Sequence, residues 1–148
     1  MTLEDSQLSA ITAAIPHRAN MLLVDEIVSQ DEASIVCRKT FHEDEFFFQG
    51  HYPDFPLTPG VILCECAVQA GAILLSSLIP KGTGVPVLTK LDNVRFKNMV
   101  RPSQTIEMQC QLDDKLSNAF YLTAKVTCEG KLATRFSFVC TVAQPESN

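Results

Sequence analysis

Polar and apolar residues alternate with period two along the last third of the chain. In Gln104 to Leu112, Ile106, Met108, Cys110 and Leu112 share one side and Glu107, Gln109 and Gln111 the other. Phe120 to Cys128 repeats the pattern, with Leu122, Ala124 and Val126 set against Tyr121, Thr123, Lys125 and Thr127. Glu129-Gly130 is a tight-turn pair, and Leu132 to Val142 follows it. The alternation predicts three consecutive half-buried strands, an antiparallel meander with one face to cover. Val87 to Phe96 reads as another strand before them. Nearer the N-terminus, Met21 to Val28 and Ala33 to Phe41 read as a hairpin turning at Ser29 to Glu32.

The period changes in the middle of the chain. From Pro59 to about Ile79 the residues are apolar almost all round, as in a helix buried on every side. Thr58 suits its N-cap, with Pro59 at the first helical position. Pro80, Gly82 and Gly84 stop it. Leu3 to Ile15 reads as a shorter N-terminal helix ended by Pro16, and 143–148 as a disordered tail. The expected fold is one α+β domain over 1–148, a strongly curved antiparallel sheet wrapped around one long buried helix.

Composition narrows the function. A net charge of −5 argues against a nucleic-acid binder relying on bulk positive charge. The apolar run Val61 to Ile79 is broken by Glu65, Gln69, Ser76 and Ser77, which argues against a membrane span. The first residues, MTLEDSQL, lack the basic and apolar order of a signal peptide, so the expected location is cytoplasmic. The six cysteines form no C-x-x-C pair and are expected as reduced core thiols. The three histidines have no acid at ligand spacing, so no metal is expected; His17 reads as structural and His42 as a surface residue.

Chemistry concentrates in Phe46 to Gly71, FFFQGHYPDFPLTPGVILCECAVQAG. His51 stands on a loop rich in glycine and proline. An imidazole with a reference pKa of about 6.5 is partly neutral at working pH and suits a general base. Glu65 is the lone acid of the apolar helix, and a carboxyl in such surroundings retains a proton to donate. Gln69 lies one turn further on the same face; it orients Glu65 or simply bonds nearby backbone. The helix start at Gly60 and Val61 offers unpaired N–H groups at the positive end of the helix dipole. Phe46, Phe48, Ile62 and Phe96 are candidates for an apolar pocket wall, or plain core. Lys81, Lys90, Arg95, Lys97 and Arg101 face only Asp92 in their stretch, a local basic excess on an acidic protein.

Three segments in order, IPHRANMLLVDEIV, the central stretch above and LDNVRFKNMVRPSQTIEM, resemble the FabZ-type 3-hydroxyacyl-acyl-carrier-protein dehydratases of bacterial fatty-acid synthesis. The resemblance runs from about Ile15 to about Val142. It implies the hot-dog fold and a homodimer joined sheet edge to sheet edge, often assembled into hexamers. It implies His51 and Glu65 as the catalytic pair, meeting across the dimer interface, and a thioester carbonyl held by the Gly60 and Val61 amides. A glutamate at position 65, where the sibling FabA group has aspartate, favours the FabZ type. No cofactor is implied. The partner implied is an acidic acyl-carrier protein, with Lys90, Arg95, Lys97 and Arg101 as docking candidates. The same scaffold serves thioesterases and hydratases of CoA esters, and a non-catalytic acyl-binding subunit is an alternative of another class.

Overall fold

A computed structural model describes residues 2–144. The elements in chain order are α1 (Leu3–Ala14), β1 (Glu26–Gln30), β2 (Ser34–Thr40), α2 (Phe46–Gln49), α3 (Gly60–Ser76), β3 (Val85–Phe96), β4 (Thr105–Leu116), β5 (Ala119–Cys128) and β6 (Lys131–Ala143). The six strands form one antiparallel sheet in the order β1-β2-β4-β5-β6-β3. Its concave face wraps α3, whose residues from Leu63 to Leu75 are buried apart from Glu65. This is the expected curved sheet around a buried helix.

The meander forms where alternation predicts it. Ile106, Met108, Cys110, Leu122, Ala124 and Val126 turn inward, and Phe136, Phe138 and Cys140 join them from β6. Glu129 and Gly130 both have positive φ, 52° and 78°, the combination of a type I′ hairpin turn. Gly71 brings helix and sheet together: a Cβ there would stand 2.7 Å from the Phe138 ring.

Some boundaries differ from the sequence reading. β1 begins at Glu26 rather than near Met21, because the Leu23 amide bonds the Gln69 side chain instead of a strand. Thr58 does not cap α3. Its amide donates to the Val100 carbonyl at 2.7 Å, which holds it outside the helix, and Pro59 takes the cap position. α3 ends at Ser76, and single backbone bonds carry the chain on to Ile79. β6 runs through Ala143, where the expected tail was to begin; the rest of that expectation, 145–148, lies outside the described residues.

The two outer strands differ. α1, held by a Thr2/Asp5 capping box, lays Gln7 against β1. The Gln7 amide accepts from the Ile27 N–H at 2.9 Å and donates to the Ile27 carbonyl at 3.4 Å. β3, twelve residues long, has no strand beyond it among the described residues and exposes Val85, Val87, Leu88 and Leu91.

Candidate active site

α2 is a single turn whose Phe47 and Phe48 lock into the core with Phe41, ring centroids 4.9–6.3 Å apart. Its N-cap, Glu45, is held from the sheet. Lys39 of β2, only 4% exposed, places Nζ 3.0 Å from Glu45 Oε1, while Glu45 Oε2 accepts the His42 amide at 2.9 Å. Asp25 lies 3.8 Å from the same ammonium. A buried ammonium needs such partners. This ion pair anchors the turn that leads directly into Gly50-His51.

The loop then closes on itself. Tyr52 has φ of 50°, and its carbonyl accepts the Phe55 amide at 2.8 Å. Arg101 stacks on the Phe55 ring at 4.8 Å. His51, half-buried, has Nδ1 3.1 Å from the Leu57 carbonyl oxygen. A carbonyl only accepts, so Nδ1 carries the proton of the neutral ring. That leaves the Nε2 lone pair free to take a proton.

α3 supplies the rest. The Pro59 carbonyl accepts from the Ile62 and Leu63 amides, and no side chain caps the helix. The Gly60 and Val61 amides therefore have no acceptor within the helix. The Phe96 ring covers Gly60 so closely that a Cβ there would stand 2.7 Å from it. Val61, Glu65 and Gln69 follow at i, i+4 and i+8, on one face.

Gln69 is 1% exposed and fully engaged. Its carbonyl oxygen accepts the Leu23 amide at 2.8 Å; its NH₂ donates to the Met21 carbonyl at 2.7 Å and to Glu65 Oε2 at 3.1 Å. It thus both bonds backbone and holds the acid, the two roles left open by the sequence. Glu65 Oε1 is free. Among the described residues no hydrogen bond or ion pair joins His51 to Glu65 within one chain.

The other candidates are spread out. Phe48 packs in the core, Ile62 is half-buried, and Phe46 is 46% exposed beside a cavity of about 720 Å³ between α1 and α2. Lys90 pairs with Asp92 at 3.7 Å; Arg95, Lys97 and Arg101 are exposed. His42 is on the surface. Sequence reasoning missed Lys39, and also a second cavity of about 450 Å³. Ala10, Ala13 and Ala14 of α1, Ala72 and Ser76 of α3, and Val85 of β3 border it. Ala72 and Ser76 continue the Glu65 face at i+7 and i+11, a spacing visible in the sequence. His17 also borders it, with Nδ1 buried and unpartnered.

Burial pushes the thiols of the core up: Cys64 beside the acid and Cys140 to about 11, Cys37 to about 12. They are poor nucleophiles. Among the described residues no group of histidine, cysteine and carboxylate side chains is arranged to hold a metal, and no helix is long and apolar enough to cross a membrane.

The family model described as ApeI-like dehydratase matches residues 27–134. The FabZ 3-hydroxyacyl-[acyl-carrier-protein] dehydratase of Streptococcus gordonii is 35% identical over 138 residues, covering 93% of this chain and 98% of the relative. That of Clostridium perfringens is 35% identical over 126 residues, 85% of this chain and 91% of the relative. Among solved structures, the dehydratase heterocomplex ApeI:P from Xenorhabdus doucetiae superposes with a TM-score of 0.77 at 16% identity, over 93% of this chain and 91% of that one. The E. coli PaaI protein of the phenylacetic acid degradation operon gives 0.66 at 16%, over 93% and 94%. At these identities the two structures speak for the fold alone.

Proposed function

Because the chain belongs to the FabZ-type hot-dog dehydratases, within the ApeI-like dehydratase family, we propose that it removes water from (3R)-3-hydroxyacyl thioesters on an acyl-carrier protein, giving trans-2-enoyl products. The observation that carries the residue roles is the pairing of a singly oriented imidazole with a singly oriented carboxyl. His51 Nε2 takes the C2 proton. Glu65, held at Oε2 by Gln69, gives the proton on Oε1 to the departing 3-hydroxyl, which leaves as water. The electron pair of the broken C2–H bond becomes the second bond between C2 and C3. The Gly60 and Val61 amides hold the thioester oxygen, on which charge develops. The apolar cavity past Ala72 and Ser76 supplies room for an acyl chain that follows the Glu65 face. No cofactor takes part.

His51 and Glu65 work together across a homodimer joined through β3. The free edge of β3, with its exposed apolar side chains, supports this arrangement; the Gln7 contact on β1 makes the opposite edge unsuitable. A hexamer of three such dimers and a cytoplasmic location complete the proposal.

The test is absorbance of crotonyl thioesters, on carrier protein and on CoA, with the wild type and His51→Ala. Loss of the enoyl signal by hydration, faster on the carrier and absent in the variant, is the expected result. Release of free thiol without hydration overturns it in favour of a thioesterase.

A further inference from the structure

The cavity at the far end of the Glu65 face is not a plain hydrocarbon slot. Ala72 and Ser76 stand seven and eleven residues past Glu65 on α3, which places them about 10 Å and about 16 Å along the helix axis from it. Across the cavity of about 450 Å³ they meet Ala10, Ala13 and Ala14 of α1. Short side chains on both walls leave the space between the two helices unfilled. Its volume lies in the range of sites that enclose a small organic ligand.

The polar side chains at its border are neutral or basic. Ser76 spends its hydroxyl proton on the Ile73 carbonyl at 2.6 Å. His17 keeps Nδ1 buried and without a partner. Lys81 is exposed, and among the described residues it forms no ion pair. Among the described residues that border the cavity none is acidic. A buried polar atom without a partner costs the fold stability that a ligand can restore. An imidazole N–H beside a free ammonium, with no carboxylate of the chain's own between them, is complementary to an anionic oxygen.

We infer that the chamber takes the far end of the acyl chain and that His17 and Lys81 bind a carboxylate carried there, so that the preferred substrates are 3-hydroxyacyl thioesters of dicarboxylic acids; the inference rests on the proposed dehydration at His51 and Glu65. Spacing sets the length. Three backbone bonds of an extended chain span about 3.6 Å, so a chain advances about 1.2 Å per bond. The stretch from Ala72 to Ser76 then lies roughly nine to fourteen bonds beyond C3. A chain of about fourteen carbons lays its methylenes along the alanines and brings its carboxylate to His17 and Lys81. A four-carbon chain does not reach them.

The experiment measures hydration of trans-2-enoyl thioesters by wild type, His17→Leu and Lys81→Glu. The esters are crotonyl and three fourteen-carbon chains ending in methyl, hydroxyl or carboxylate. In the wild type kcat/KM for the carboxylate chain exceeds that for the methyl chain by roughly tenfold, and added salt narrows the gap. His17→Leu removes the preference. Lys81→Glu, a change at an exposed position, reverses it. Equal rates on the carboxylate and methyl chains, a preference that Lys81→Glu leaves in place, or a preference for the hydroxyl chain overturns the inference, while hydration of crotonyl keeps the proposed reaction standing. A saturated carboxylate-ended thioester, which cannot react, is the companion probe by melting temperature. If it stabilises the wild type more than its methyl counterpart does, loses that advantage in Lys81→Glu, and no enoyl ester is hydrated, the proposed reaction falls and the chamber's role stands.

Discussion

The Gln69 amide donates to Glu65 Oε2 at 3.1 Å while its carbonyl accepts from Leu23 across 46 residues of sequence. The acid on the central helix is thereby aimed by the segment that precedes the sheet. Gln69→Met preserves size and removes all three bonds. It leaves the buried Leu23 amide and Met21 carbonyl unpartnered, which costs roughly 2 kcal/mol. It also frees the carboxyl to rotate, and kcat falls by about tenfold or more with a smaller change in KM. Steady-state kinetics beside a denaturant titration checks both; unchanged kcat would show that Glu65 needs no such hold.

Gly60 has a testable partner in Phe96. Gly60→Ala places a methyl 2.7 Å from a ring carbon, so ring and helix start must part. The expected result is a loss of about 1–3 kcal/mol together with slower turnover. Phe96→Ala should restore the stability of Gly60→Ala in a double-mutant cycle, because it vacates the space. Additive effects would mean that the close approach is not what Gly60 serves.

Lys39→Met strips the buried ammonium from Glu45, the N-cap of α2. A half-buried carboxylate is left without its partner, at a cost of roughly 3 kcal/mol. Hydrogen exchange should rise first in residues 46–57, the turn and loop carrying His51, before the meander opens. Uniform protection across the loop would count against the anchor.

The core thiols give the protein an alkaline limit. A thiol ordinarily titrates at about 8.5. Burial raises Cys64 and Cys140 to about 11 and Cys37 to about 12. Above about pH 9 the unfolded chain releases these protons while the folded chain keeps them, so stability is intact below that pH and falls as pH rises toward 11 and 12. Melting temperature against pH, repeated with Cys37→Ala, should show the decline and its easing. Native thiols should also resist alkylation at pH 8.

Period-two alternation marked β4, β5 and β6 because each buries one face only, and unbroken apolarity marked α3 because it buries all of its own. Glu65 stood out as the one charge on that helix. Lys39 did not, although it shares the inward parity of Ile35, Cys37 and Phe41, because only the fold shows two carboxylates turned toward it. Met21 to Val28 read as strand because the stretch is apolar except for Asp25 and Glu26. The Leu23 amide goes to the Gln69 side chain and the Leu22 amide to the Arg18 carbonyl of the preceding loop, which hydropathy does not record.

Gln7 on Ile27 limits how copies of this chain can add to one another. Under the proposed pairing through β3, a sheet with one plugged edge and one open edge has an edge-to-edge valence of one: it adds a single neighbouring sheet and stops. Deleting α1 would raise that valence to two, and strand addition could then propagate from both ends as an open-ended fibre. On that proposal the short N-terminal helix, which carries none of the proposed catalytic groups, separates a closed particle from a polymer.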